Sequence, residues 1–211
     1  HLPSLLMSKP SRCFAFFVTP HGFGHASRAA AVAESLTRRF PPCQFEFFTT
    51  IPKHHIAASV ENFHYQTLNC DVGMVQTDAL RVDLPKTLQR LNSFLPFDPT
   101  EVQRLVDYLK RQCCIAVISD ISPLGLQVAR AAALPSVLIE NFTWDWIYRG
   151  YALDHPQMGK HAAYLSSIFA CADLHLQCQP ICHTKPDGVL TSPVSRRFRK
   201  DPATVRSQLG L

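Results

Sequence analysis

No apolar run in this 211-residue sequence is long enough to cross a bilayer. Residues 1–9 hold Leu5-Leu6-Met7, but neither a basic start nor an adequate apolar core, so no secretory signal is read there. Charge of one sign is also scarce. Lys and Arg number 21 against 16 Asp and Glu, a net charge of +5. Much of that excess sits in Arg196, Arg197, Arg199, Lys200 and Arg206. A nucleic-acid binder more often carries a basic stripe across the fold, so nucleic acid is not an expected partner. No internal repeat or low-complexity segment is present. Gly-Lys-Ser/Thr nowhere follows the glycine-rich turn near residue 22, which excludes a P-loop.

Cysteine is plentiful, at positions 13, 43, 70, 113, 114, 171, 178 and 182. Cys13 and the Cys113-Cys114 pair flank or enter strand-like runs, and the chain is not a small scaffold short of core. Reduced, mostly buried thiols and a cytoplasmic setting are therefore expected. Cys178-x3-Cys182-His183 is half of a zinc-like spacing with no second half nearby, so no metal site is expected.

The chain is organised around Cys13 to Phe40. The apolar run Phe14-Ala15-Phe16-Phe17-Val18 stops at Thr19-Pro20. The turn His21-Gly22-Phe23-Gly24-His25 follows, then an alanine-rich helical run over Ala26–Arg39. Strand, tight loop and helix in that order open a doubly wound α/β domain. The helix N-terminus behind the loop suits an anion or polar ligand.

Later segments repeat the alternation. Gln44–Thr50 reads as strand, 53–60 as a short helix, and His64–Leu68 as strand. Residues 70–98 are more polar, with no strong strand and a helix over Leu84–Phe94. Asp98 caps a helix with Val102, Leu105, Val106 and Leu109 at helical spacing. Cys114–Ser119 is a buried strand ending at Asp120, and Pro123 opens a helix. Ser136–Glu140 is the next strand, followed by an aromatic stretch over Asn141–Tyr148. A helix over His155–Ala170 and strands at Asp173–Cys178 and Gly188–Thr191 follow. Asp201 caps a helix running to Leu211. The expected fold is an α/β Rossmann-like, mostly parallel sheet with helices on both faces. The expected division is a loose arm over 1–12, one domain over 13–195, and a linker over 196–211 leading into a further domain.

In such a sheet, ligands gather at the C-terminal strand ends. That rule selects His21–His25, Thr49-Thr50, Asp120 and Glu140–Trp146. Gly22-Phe23-Gly24-His25-Ala26-Ser27 is a partial dinucleotide fingerprint. It lacks the acid at the end of strand two, where Thr49-Thr50-Ile51-Pro52 stands, so a nicotinamide reading fails. His25 sits at the helix mouth as a candidate general base or a loop-stabilising histidine. Asp120 is a candidate orienting partner for it, or a cap for the following helix. Asn141–Tyr148 offers aromatics for stacking on a sugar, or for the core.

The segments His21–Arg28 (HGFGHASR), Asp71–Leu80 (DVGMVQTDAL), Ser119–Ala129 (SDISPLGLQVA) and Glu140–Tyr148 (ENFTWDWIY), in this order and spacing, resemble the N-terminal half of a GT-B glycosyltransferase. The resemblance spans residues 13–200. It points in particular to the glycosyltransferase-like domain that precedes the sugar kinase in L-arabinokinase-type proteins, and to related free-standing bacterial transferases. It implies an inverting, metal-independent transfer of sugar from a nucleotide-sugar to an acceptor hydroxyl, with no cofactor beyond that donor. The absence of an Asp-x-Asp motif agrees with metal-independent chemistry. By resemblance His25 is the catalytic base and Asp120 its partner. Gly22 and Gly24, with His21 beside them, approach the donor diphosphate. Asp71, Gln76, Asp78, Asn141, Trp144 and Asp145 line the acceptor side. The donor-binding C-terminal domain is expected beyond this chain, which alone is expected to be inactive or nearly so. The alternative is a non-catalytic sugar- or nucleotide-binding module, fused to a sugar kinase in the parent protein.

Overall fold

The computed structural model describes residues 11–198 and 200–211. The expected arm over 1–12 lies outside the described residues except for its last two positions, and Arg12 already belongs to the first strand. In chain order the elements are β1 (Arg12–Val18), α1 (Phe23–Arg39), β2 (Cys43–Thr49), α2 (His54–Ala57), β3 (Phe63–Thr67), β4 (Gln76–Asp78) and β5 (Arg81–Val82). Then come α3 (Leu84–Phe94), α4 (Pro99–Arg111), β6 (Cys114–Asp120), α5 (Pro123–Ala132), β7 (Ser136–Glu140) and α6 (Trp144–Arg149). The last are α7 (Pro156–Phe169), β8 (Leu174–Cys178), β9 (Val189–Thr191) and α8 (Pro202–Gln208).

Seven strands form one parallel sheet in the order β3-β2-β1-β6-β7-β8-β9. The chain winds outward from β1 to β3, then returns and winds the other way from β6. The reversal lies between β1 and β6, and a crevice opens beyond their C-terminal ends.

Phenylalanines alternate along β1 and β2, so both faces of the sheet carry paired rings. Phe16 stacks on Phe47 at 4.8 Å on one face, and Phe17 on Phe48 at 4.5 Å on the other. The first face packs under α1 and α2, with Ala26, Ala29, Ala30 and Ala33 letting α1 lie close. The second packs under α4, α5, α6 and α7. Gly125 is required where α5 meets that face. A Cβ there would lie 2.2 Å from the Ser119 hydroxyl and 2.6 Å from the Phe17 Cβ.

Three local features differ from the sequence expectation. Helix α1 begins at Phe23, so Gly24 and His25 sit inside its first turn rather than in a loop before it. Residues 76–82 form a small antiparallel ribbon of β4 and β5, a pairing too short to show as a strand pattern. The last helix ends at Gln208 rather than at Leu211. All eight cysteines are free thiols, as expected. Five of them are buried. Among the described residues, no helix is long and apolar enough to cross a membrane.

Candidate functional site

At the switch point the end of β6 meets the first turn of α1. Asp120 is fully buried, and it caps no helix. Ser122 precedes α5 as N-cap, without a side-chain bond. The Asp120 carboxylate turns instead toward α1. Oδ1 accepts from His25 Nδ1 at 2.9 Å, and Arg28 clamps both oxygens, at 2.6 Å to Oδ1 and 2.7 Å to Oδ2. The backbone makes this possible with a sharp turn. Ile121 has φ 59°, rare for a β-branched side chain, and is locked by backbone hydrogen bonds from Thr19 to Asp120 and from Ile121 to Ile139. Strain of this kind costs about 1–3 kcal/mol and tends to persist at functional sites.

Arg28 lies three residues after His25, so the two side chains leave α1 on the same face. Only 8% of Arg28 is exposed. Burial opposes its charge, but the hydrogen bond and charge of Asp120 outweigh that and hold the guanidinium above its ordinary value. Arg28 also donates to Asn141 Oδ1 at 3.3 Å and passes 3.3 Å from His25 Nδ1. A neutral His25 that donates from Nδ1 to Asp120 leaves a lone pair on Nε2. That nitrogen has no hydrogen-bond partner among the described residues. His25, Arg28 and Asn141 line a cavity of about 370 Å³ with Gly22, Gly24 and Gln179. No side chain caps α1; the His25 N–H donates to the Gly22 carbonyl at 3.2 Å, which leaves the N–H groups of Phe23 and Gly24 to meet an anion.

A larger groove of about 900 Å³ is lined by His21, Asp71 and Gln76, with polar side chains of α3 on its other wall. Its floor is pinned. Trp144 Nε1 donates to Asp71 Oδ2 at 3.0 Å, and the Tyr148 hydroxyl donates to the Gly73 carbonyl at 2.8 Å. Met74 N–H donates to His21 Nε2 at 3.1 Å, and the His21 ring meets Trp144 edge-on at 4.7 Å. Gly73, at φ +60°, wraps over that ring so tightly that a Cβ would fall 1.5 Å from His21 Nε2. Burial pushes the Asp71 carboxyl up from its ordinary value, with Thr19, His21 and Trp144 opposing. Asp71 Oδ1 has no hydrogen-bond partner.

The residues expected to act together are therefore divided. His25, Gly22, Gly24 and Asn141 line the smaller cavity, with Asp120 buried behind His25. His21 does not join Gly22 and Gly24 there, because the Val72–Met74 turn holds it in the groove. Asp71 and Gln76 line the groove, and Trp144 is its buried support. Asp78 stays apart, exposed in the ribbon, where it accepts from the Leu80 N–H at 2.9 Å. Asp145 is apart too, buried and held by Arg149 at 3.3 Å beside a separate small cavity. The sequence reading missed Arg28. Its signal was an arginine three residues after a histidine on an otherwise alanine-lined helix face. It also missed Glu140 as a buried hub, accepting from His175 at 2.8 Å and Gln177 at 2.6 Å.

No protein-family model matches the chain. It is 27% identical over 209 residues to L-arabinokinase from Arabidopsis thaliana, covering 94% of this chain and 19% of that protein. Among solved structures it resembles Phytolacca americana UGT2, complexed with UDP-2-fluoro-glucose and pterostilbene (TM-score 0.54, 13% identity, 94% of this chain and 57% of that one). It also resembles a UDP-glucosyltransferase from Polygonum tinctorium capable of glucosylating indoxyl (TM-score 0.55, 11% identity, 94% and 56%). At such identities the likeness is one of fold. The chain spans about a fifth of its curated relative and little more than half of these structures. It is homologous to part of L-arabinokinase and carries the Rossmann-like fold of a GT-B N-terminal-type domain.

Proposed function

We propose that this chain is the acceptor-side half of an inverting, metal-independent glycosyl-transfer centre. The observation that carries the proposal is the His25 Nδ1–Asp120 contact of 2.9 Å at the switch point, which leaves Nε2 free beside a cavity. His25 Nε2 takes the proton from an acceptor hydroxyl. The oxygen attacks the anomeric carbon of a nucleotide-sugar as the bond to the diphosphate breaks on the opposite face. Inversion follows from that geometry. Asp120 fixes the ring tautomer and faces the imidazolium that forms. Free N–H groups at the start of α1 share the charge of the leaving diphosphate. The rest of the donor is held by a second domain.

The direct test is to incubate the full-length protein with a panel of nucleotide-sugars and acceptors and to determine the anomeric configuration of the product. An inverted product supports the proposal, and a retained configuration contradicts it.

One observation favours a second reading, a non-catalytic sugar- or nucleotide-binding module. Arg28 already neutralises Asp120 and sets a second cation 3.3 Å from the ring that must become positive. The curated relative is moreover named as a kinase. Calorimetry on this chain distinguishes the two readings. Tight nucleotide binding by this half alone favours the binding module.

A further inference from the structure

The larger groove has a charge asymmetry that the proton transfer at His25 does not use. Helix α3 buries Thr87 and Leu91 on one side and turns Lys86, Gln89, Arg90 and Ser93 to the groove. These four follow the spacing of a single helix face. Lys86 and Arg90 stand one turn apart, and neither has an acid within ion-pair distance among the described residues. Like charges at that spacing repel, and no acid pairs with either of them. The one acid among the lining residues, Asp71, lies on the floor at 3% exposure, with Oδ1 sealed from solvent and Oδ2 held by Trp144, so it pairs with neither cation.

We infer that the ligand of this groove is an anionic, hydroxyl-rich small molecule, with its phosphate or carboxylate on Lys86 and Arg90 and its hydroxyls on Gln76, Gln89 and Ser93. The inference rests on the reading of this groove as the acceptor side. A neutral apolar acceptor would leave both cations and the polar side chains of α3 without partners in its own binding site. A sugar phosphate or a uronic acid satisfies them. Guanidinium and ammonium side chains both suit such anions.

The test is calorimetric and NMR titration of the chain with glucose 6-phosphate, glucuronate, glucose and inorganic phosphate. Glucose 6-phosphate or glucuronate is expected to bind at least tenfold more tightly than glucose, shifting the amides of Gln76, Lys86 and Arg90. Which of the two wins identifies the anion. The Lys86→Met/Arg90→Met variant should lose that preference while keeping its circular dichroism spectrum, because both side chains are exposed. Equal binding of glucose, equal binding of inorganic phosphate, or a preference that survives the double substitution overturns the inference. His25-dependent transfer by the full-length protein is measured in parallel. Transfer without an anion preference overturns this inference alone. An anion preference without transfer overturns the proposed function and leaves the anion site standing.

Discussion

Removing Arg28 tests the central cluster more sharply than any change at the surface. Arg28→Met keeps most of the aliphatic volume and deletes the clamp on Asp120. The carboxylate remains fully buried and loses its 2.6 Å and 2.7 Å partners, keeping only His25 at 2.9 Å. Breaking a buried ion pair from one side costs about 3–5 kcal/mol, most of it the stranded charge. Asp120→Asn strands the guanidinium in the same way, so its cost falls in the same range of about 3–5 kcal/mol. The double variant Arg28→Met/Asp120→Asn leaves no unpaired charge and should cost clearly less than the sum of the two single changes. Urea unfolding followed by circular dichroism reads all three. With a slope of about 2–3 kcal/mol per molar urea for a chain of this size, each single variant should lower the midpoint by about 1–2.5 M. A single-variant loss under about 1 kcal/mol, or a double variant that simply adds the two, would refute a buried coupled pair.

Asp71 should make stability depend on pH. Burial raises its folded pKa, so the native state binds the proton more tightly than the unfolded chain does. Stability is then highest below the ordinary aspartate value of about 3.9 and falls as pH rises through the folded value. Asp71→Asn should flatten that fall, and a difference curve between the two proteins that is flat from pH 4 to 7 would contradict it. Gly125→Ala should cost about 1–3 kcal/mol in thermal or urea unfolding, because α5 must back away from Ser119 and Phe17. Gly73→Ala should destabilise the groove floor through both its positive φ and the His21 contact. His21→Ala in the same chain should recover part of that loss, and full additivity would show that the ring contact does not matter.

The doubly wound sheet was legible because its central strands are apolar and rich in phenylalanine, and because several helices carry a local start signal. Asp98 and Asp201 act as the N-caps they resemble. His25 and Asp120 were legible as a pair because a parallel sheet brings its C-terminal strand ends to one edge. Two things were not legible. Asp120 stands three residues before a proline-initiated helix, a pattern that also describes a cap, and only the turn at Ile121 decides which way it faces. The polar crossover over residues 70–83 has no period, so nothing in its spacing separates Asp71, which is buried against Trp144, from Asp78, which is exposed in a ribbon. The aromatics of Asn141–Tyr148 read equally as a sugar-stacking surface or as core, and Trp144 lies in the core.

The most direct measurement is the rate of sugar transfer by the full-length protein carrying His25→Ala, beside the unmodified protein and at saturating nucleotide-sugar. The His25 ring meets Phe142 edge-on at 6.3 Å, and it is replaceable without unpairing Asp120 from Arg28. Loss of a general base should lower the rate by about 10²–10⁴-fold, with the affinity for the nucleotide-sugar little changed. A rate that stays within about threefold of the unmodified protein contradicts the role given to His25.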